Sequence, residues 1–246
     1  CYTISSYNSI KIVGIIPARF DSSRFPGKPL ADILGKSMIQ RVYEQCKKCT
    51  LLSDVIVATD DAKILNHVIE FGGRAMITSK DHQTGTDRCN EVAEQLNKNY
   101  DVIVNIQGDE PYINPTQIEE IIALFDDEKT QIGTLAKQIS DINLVADENS
   151  PKALFDSNNY ALNFCRTITN ISTECTYYKH IGIYAFRTNT LKDICKLPQS
   201  KNEIRERLEQ LRWLDNGYKI KVGITTCEAI SVDTPEDIEK IKRQMR

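Results

Sequence analysis

The sequence predicts an α/β protein built on a mostly parallel sheet with helices on both faces. Three observations carry this. Short runs rich in Val and Ile, at Lys11–Ile16, Asp54–Ala58 and Asp101–Ile106, read as buried strands. Between them stand longer segments whose apolar residues recur at helical spacing. The 246 residues suit one large domain, or one domain with a small inserted lobe. Parallel strands need crossover helices, and those helices cover both faces of the sheet.

Taken in order, Lys11–Ile16 is the first strand and stops at Pro17. Ser37–Lys48 is helical, with Met38, Ile39, Val42 and Tyr43 on one face. Asp54–Ala58 is strand, Ala62–Phe71 helix, Arg74–Ile77 a short strand and Asp87–Asn97 a helix. Asp101–Ile106 is strand. Pro115–Phe125 is a helix with Pro in its first turn, where the missing N–H has no intrahelical partner to lose. The pattern changes after Ile132. Strand-like pieces at Ile132–Ile139, Lys152–Phe155 and Tyr160–Phe164 come close together, and Tyr178–Arg187 is another strand. Leu191–Lys196 and Glu203–Leu214 are helical, Lys219–Ile224 is strand, and Pro235–Met245 is a closing helix. Ser150-Pro151 and Ser157-Asn158-Asn159 are turn signals within one unit.

Acidic and basic residues nearly balance, and the net charge of −3 gives no sign of a nucleic-acid surface or a basic membrane patch. No apolar run is long enough to span a bilayer. The opening residues Cys1 to Ser6 have neither the basic nor the apolar stretch of a signal peptide. Of eight cysteines, Cys46 and Cys49 form a C-x-x-C at the end of a predicted helix. No second pair stands at zinc-ribbon spacing, so free thiols are expected.

Beyond Pro17 comes a loop with three cations at short spacing, Arg19, Arg24 and Lys28. Ser22, Ser23 and Gly27 lie among them. Small residues let backbone N–H groups turn toward a ligand, and the cations neutralise a polyanion. Loops at the carboxyl ends of strands are where open α/β sheets bind ligands. The stretch matches neither GxxxxGK[ST] nor GxGxxG. It reads as a triphosphate cradle of another kind, with a plain solvated loop as the alternative.

Three further segments carry chemistry. Gln107-Gly108-Asp109-Glu110-Pro111 follows a buried strand, so Asp109 reaches the same cleft. A carboxylate there can hold Mg²⁺, which takes one or two protein carboxylates plus water and phosphate oxygens. It can equally cap the helix at Pro115. Val232-Asp233-Thr234-Pro235 reads by itself as a helix N-cap at Asp233 followed by Pro at N1. His82–Arg88 is a polar loop entering a helix. Backbone amides near Gly85 can read a base edge, and Arg88 in the first turn opposes the helix dipole, so it has another reason to be there, with an exposed arginine on a helix as the alternative.

The segment I-P-A-R-F-D-S-S-R-F-P-G-K-P-L, Ile16 to Leu30, resembles the opening signature of the sugar-activating cytidylyltransferases. The 3-deoxy-manno-octulosonate cytidylyltransferases match best. The resemblance recurs in the family's order at V-A-T-D-D (Val57 to Asp61), His82 to Arg88 and N-I-Q-G-D-E-P (Asn105 to Pro111). It continues at K-H-I-G-I-Y (Lys179 to Tyr184), L-E-Q-L-R (Leu208 to Arg212) and V-D-T-P-E-D (Val232 to Asp237).

The resemblance implies a Rossmann-like three-layer α/β/α nucleotidyltransferase fold with a small inserted β-rich lobe for dimerisation and substrate. The expected division is a single domain over 1–246. It comprises a nucleotide-binding half over about 11–130, a sugar-acid-binding and dimerisation part over about 131–230, and a closing helix over 231–246. The implied reaction transfers CMP from CTP to 3-deoxy-manno-octulosonate (Kdo), releasing pyrophosphate, for lipopolysaccharide assembly. The implied setting is a cytoplasmic, Mg²⁺-dependent homodimer with no nucleic-acid or membrane partner.

Residue by residue, it implies nucleotide contacts at Ala18, Arg19, Ser22, Ser23, Arg24, Lys28, Thr84, Gly85 and Arg88. Arg19, Arg24, Lys28 and Asp109 would be catalytic, and Asp109 and Asp233 would hold the metal. Gln107, Arg166, His180, Tyr184, Glu209 and Gln210 would contact the sugar acid. An arginine suits the carboxylate of a 2-keto-3-deoxy sugar acid, because it can bind it bidentately. Two departures stand out. Ser231 occupies a position where the family pattern has Gly. After Arg166, Thr167-Ile168-Thr169-Asn170 replaces a Ser-x-Ile-Pro run, and the loop to Tyr177 is short. Two alternatives therefore stay open: a related acceptor such as the 8-amino analogue or a sialic acid, and a nucleotide-binding protein without turnover.

Overall fold

The computed structural model describes residues 10–21, 24–96 and 100–244. Strand β1 (Ile12–Ala18) leads through a small hairpin, β2 (Asp32–Ile33) and β3 (Lys36–Ser37), into helix α1 (Met38–Cys46). Then follow β4 (Asp54–Thr59), α2 (Ala62–Glu70), β5 (Ala75–Ile77), α3 (Gly85–Gln95), β6 (Val102–Asn105) and α4 (Pro115–Ala123). The second half runs β7 (Ile132–Gln138), β8 (Lys152–Phe155), β9 (Ala161–Cys165), β10 (Tyr178–Arg187) and α5 (Thr188–Ile194). It ends with α6 (Lys201–Glu206), α7 (Gln210–Asp215), β11 (Ile220–Ile224) and α8 (Pro235–Gln244).

The main sheet has the order β11-β7-β10-β6-β1-β4-β5, with the β8–β9 hairpin attached to β10. Strands β6, β1, β4 and β5 are parallel. Strand β10 enters antiparallel between β6 and β7, and β11 runs parallel to β7. Side-chain alternation along β1 explains the three layers. Ile12 and Ile16 pack with Ile39, Val42, Ile64, Val68, Ile118 and Ile121 of α1, α2 and α4. Val13 and Ile15 pack on the other face with Val92, Leu191 and Trp213 of α3, α5 and α7. Each such fully buried side chain contributes about 1.5–3 kcal/mol relative to exposure. Among the described residues no helix is long and apolar enough to cross a membrane.

The structure corrects the sequence reading in places that matter for the site. Strand β1 does not stop at Pro17; Pro17 and Ala18 continue its register against Ala58 and Thr59. The helix expected over Glu203–Leu214 is two helices, broken at Arg207, which takes a left-handed φ of 55°. The break lets Leu208 turn into the core and sets Gln210 at the start of α7, with Glu209 just before it. Helix α3 begins earlier than expected, at Gly85, with the Thr84 side chain accepting from Asp87 N. Asp233 does not cap α8. The backbone N–H groups of Asp233 and Thr234 both donate to Asp237 Oδ2 at 3.1 Å. Lys240 and these N–H groups hold the Asp237 carboxyl down at about 2. Cys46 and Cys49 are buried free thiols.

The loops after β1 and β6 are pressed together. A Cβ at Gly108 would stand 2.6 Å from Pro17 O, closer than real side chains come to a carbonyl. The chain before α8 joins them, because Val232 N donates to Asp109 O at 2.9 Å.

Candidate active site

Ala18 closes β1 and delivers Arg19 into the cleft. Arg19 is exposed, and its side chain has no ion-pair or hydrogen-bond partner among the described residues. Ser22 and Ser23 lie outside the described residues. Gly27, at φ 71°, turns the chain into a short 3-10 helix, Lys28–Leu30. That left-handed turn suits glycine. Lys28 Nζ donates to Asp109 Oδ2 at 2.8 Å and to Val232 O at 2.9 Å. Arg24 Nη2 lies 3.0 Å from Asp233 Oδ1. The cation loop thus touches both acids singled out in the sequence. The Arg24 pair is open to solvent, so it contributes little to stability and exchanges freely for another anion or cation.

Asp109 and Asp233 bear on metal binding. They sit at the two sides of Val232, whose backbone is bonded to Asp109 and to Lys28. Among the described residues no group of three or more His, Cys, Asp or Glu could hold an ion. Two hard carboxylates without sulfur or imidazole fit Mg²⁺, which draws its other ligands from water and phosphate. Glu110, next in the chain, is buried; desolvation, and then the Asp109 charge, push its carboxyl up to about 7.

The loop before α3 forms a second wall. A cleft of about 130 Å³ is lined by Ala18, Arg19, Thr84, Gly85 and Arg88, with Pro17 and His82. Gly85 packs on the Pro17 ring. The Thr84 hydroxyl is taken up by Asp87, donating to its Oδ2 at 2.8 Å. Arg88 is buried and clamped: Nη2 donates to Asp60 Oδ2 at 2.7 Å, and Nη1 to Ser79 O at 3.1 Å and to the Thr78 hydroxyl. The clamp accounts for an arginine in the first turn of a helix and rules out the exposed position that was the alternative. Arg88 forms the cleft wall while its guanidinium is spent on the protein.

All six residues implied for the sugar acid line one cavity of about 800 Å³, together with Asp109 and Glu110. Gln107 Nε2 donates to Gly182 O at 2.8 Å. The Arg166 guanidinium donates to Glu206 O, Glu148 O and Arg207 O, at 2.8, 3.2 and 3.3 Å. Among the described residues these partners are all carbonyls, and no carboxylate is paired with the guanidinium. Arg212, the other arginine of this region, is consumed by a buried bidentate pair with Glu203 at 2.6 and 2.9 Å. His180 is buried and bonded to the Thr134 hydroxyl at 2.9 Å; desolvation holds its pKa down at about 3. Tyr184 stacks edge-on against Trp213 at 5.1 Å, and burial raises its phenol pKa. Glu209 Oε2 accepts from Thr86 Oγ1 at 2.9 Å, with its carboxyl pKa raised by desolvation. Gln210 Nε2 is buried without a partner among the described residues.

A family model described as cytidylyltransferase matches residues 13–220. A 3-deoxy-manno-octulosonate cytidylyltransferase of Parabacteroides distasonis is 54% identical to this chain, over 94% of the chain and 96% of the relative. The chain belongs to the 3-deoxy-manno-octulosonate cytidylyltransferase family. A solved structure of a CMP:2-keto-3-deoxy-manno-octonic acid synthetase complexed with CTP superposes with a TM-score of 0.91 at 39% identity, covering 96% of this chain and 98% of that one. The 4-diphosphocytidyl-2C-methyl-D-erythritol synthase of Anaerococcus prevotii, at 14% identity and a TM-score of 0.64, shares the fold.

This cytidylyltransferase also contains site residues that the sequence reading missed. Lys152 is fully buried, and its Nζ donates to Asp147 O and Arg166 O, both at 2.6 Å. It therefore fixes the backbone that carries Arg166. Asp60 holds Arg88, and Thr134 holds His180. Asp60 lay inside the V-A-T-D-D motif, which was a usable signal. Lys152 and Thr134 carried none, since one lysine or threonine in a strand is ordinary.

Proposed function

We propose that this enzyme transfers CMP from CTP to 3-deoxy-manno-octulosonate and releases pyrophosphate. The observation that carries the reading is the place of Asp109. It is ion-paired to Lys28 of the cation loop and also lines the 800 Å³ cavity with the six sugar-acid residues. The names of the relatives, and the CTP complex of the neighbouring structure, support the substrate pair.

In this mechanism the anomeric hydroxyl attacks the α-phosphorus in line with the leaving pyrophosphate. Arg19, Arg24 and Lys28 bind the triphosphate oxygens and offset the charge that grows on the leaving group. Arg166 attracts the carboxylate of the acceptor, and Glu209, Gln210, Tyr184 and Gln107 orient it. Holding both reactants in one cleft removes much of the entropic barrier. Asp109 and Asp233 would hold Mg²⁺, which supplies neutralisation of phosphate charge and a lower pKa for the attacking hydroxyl. The exposed leucines of the β8–β9 hairpin, Leu154 and Leu162, support a homodimer. A cytoplasmic setting and supply of activated sugar to lipopolysaccharide assembly complete the proposal.

The test is pyrophosphate release from CTP with Kdo, its 8-amino analogue and a sialic acid in turn, with and without Mg²⁺. Kdo should give the highest kcat/KM, and EDTA should abolish it. Preference for another acid would overturn the acceptor assignment. No release with any acid would leave only nucleotide binding.

A further inference from the structure

Thr134 lies in the middle of β7, fully buried, beside a fault in β10. The register between the two strands shifts between Ile181 and Tyr184, which leaves Gly182 and Ile183 without a partner residue in β7. Thr134 Oγ1 is 2.9 Å from Ile183 O and 3.3 Å from Ile181 O. It is also 2.9 Å from His180 Nε2. A hydroxyl has one proton to give, and a carbonyl can only accept. With that proton given to Ile183 O, the nearer of the two carbonyls, the lone pairs of the hydroxyl face the imidazole. The ring atom opposite them is then the donor, which puts the ring proton on Nε2.

Burial keeps the ring neutral, which leaves a bare lone pair on Nδ1. Among the described residues Nδ1 has no hydrogen-bond partner, and it is not one of the buried atoms cut off from both partner and solvent. The ring is held edge-on to Phe164 at 4.8 Å and lies in the cavity wall with Arg166 and Glu209.

We propose that Thr134 is a positioning residue that locks His180 in the Nε2–H form, so that Nδ1 offers the cavity an acceptor for a hydroxyl of the sugar acid. The proposal rests on the sugar-acid reading of this cavity. It divides the recognition between two residues. Arg166 supplies charge to the carboxylate, while the lone pair on Nδ1 repels carboxylate oxygens and accepts only a donor. A sugar acid lacking the hydroxyl, or turned end for end, loses that contact.

The test combines a spectrum with kinetics. In ¹⁵N-labelled enzyme the ring nitrogens of the three histidines are resolved, and a His180→Gln variant assigns the signal. His180 should carry its proton on Nε2 throughout about pH 6–8, and the Nδ1 signal should shift on addition of Kdo alone. Thr134→Val should raise the KM for Kdo by roughly three- to tenfold, the scale of one hydrogen bond. The KM for CTP should not change, and Thr134→Ser should restore the wild-type value. A double variant with His180→Gln should have no higher KM for Kdo than His180→Gln alone. A proton on Nδ1, an unchanged KM in Thr134→Val, or equal losses for both substrates would overturn the proposal. The wild-type spectrum decides the tautomer even where Thr134→Val does not fold. Wild-type enzyme that turns over no sugar acid would instead overturn the functional reading beneath it.

Discussion

Lys28 and Asp109 meet at 2.8 Å although they lie 81 positions apart in the chain. One ion pair thus joins the loop after β1 to the loop after β6, and Val232 O shares the same ammonium group. The cation proposed for the triphosphate and the acid proposed for the metal are set at one point before any substrate binds. Such preorganisation costs nothing further at the moment of reaction.

Asp109→Asn should therefore keep the fold and lose the chemistry. The amide retains the size and one acceptor oxygen but not the charge. Turnover should fall by about two to three orders of magnitude, the scale of a lost preorganised electrostatic group. Kinetics at saturating Mg²⁺, beside a thermal melt, check this. Near-normal turnover would remove Asp109 from the metal site.

Arg24→Ala should separate binding from stability, whereas Lys28→Ala, which also breaks the bonds to Asp109 and Val232 O, should lower both. The Arg24–Asp233 pair is largely exposed, so its loss should hardly move the Tm. CTP affinity, read by calorimetric titration, should fall in both variants. A large drop in Tm with intact CTP affinity would make the loop structural.

Two arginines of the second half should behave oppositely. Arg166→Ala should raise the KM for the sugar acid roughly ten- to a hundredfold and leave CTP binding intact, since a charge-assisted contact is lost. Arg212→Ala should destabilise the fold by about 3–5 kcal/mol, because it strands the buried Glu203 carboxylate. Denaturant titration and substrate-varied kinetics on the pair test both. A sugar-acid KM unmoved by Arg166→Ala would show that the altered segment after Arg166 has rebuilt the site for another acceptor.

Glu110 gives a pH dependence with a defined direction. Its folded pKa, about 7, lies above its ordinary value of 4.5. Between those values the folded state holds a proton that the unfolded state has released, so stability falls as pH rises through the window. Glu110→Gln should remove that slope and should be the more stable protein at pH 8, by a few kcal/mol at most. Denaturant unfolding in metal-free buffer at several pH values is the measurement. An identical slope in the variant would refute the burial argument.

The parts of this protein legible in its sequence are those where one short segment decides the outcome. Strands β1, β4 and β6 are buried on both faces, so their Val and Ile runs are unmistakable. The cation loop, Asp109 and the residues of the large cavity were legible as motifs. What escaped depends on distant partners. Nothing in Arg207 announces a left-handed turn, so α6 and α7 read as one helix. Asp233 is a different case: the N–H groups of Asp233 and Thr234 go to Asp237, four and three residues on, a local capping-box spacing that was readable in the sequence. The Arg88 clamp on Asp60 and the Thr134 contact to His180 join different elements. So does the insertion of β10 between β6 and β7, and a linear pattern carries none of these pairings.

That insertion also orders the events of folding. Strand β7 leaves the ribosome before β10, yet among the described residues its neighbours in the sheet are β10 and β11 alone. The β6-β1-β4-β5 half can assemble first, because its pairings lie within the earlier part of the chain. Until Tyr178–Arg187 arrives, β6 presents a bare apolar edge and β7 has nothing to join. The nascent chain is most exposed to aggregation in that interval, and the arrival of β10 closes it by zipping the two halves together from the middle.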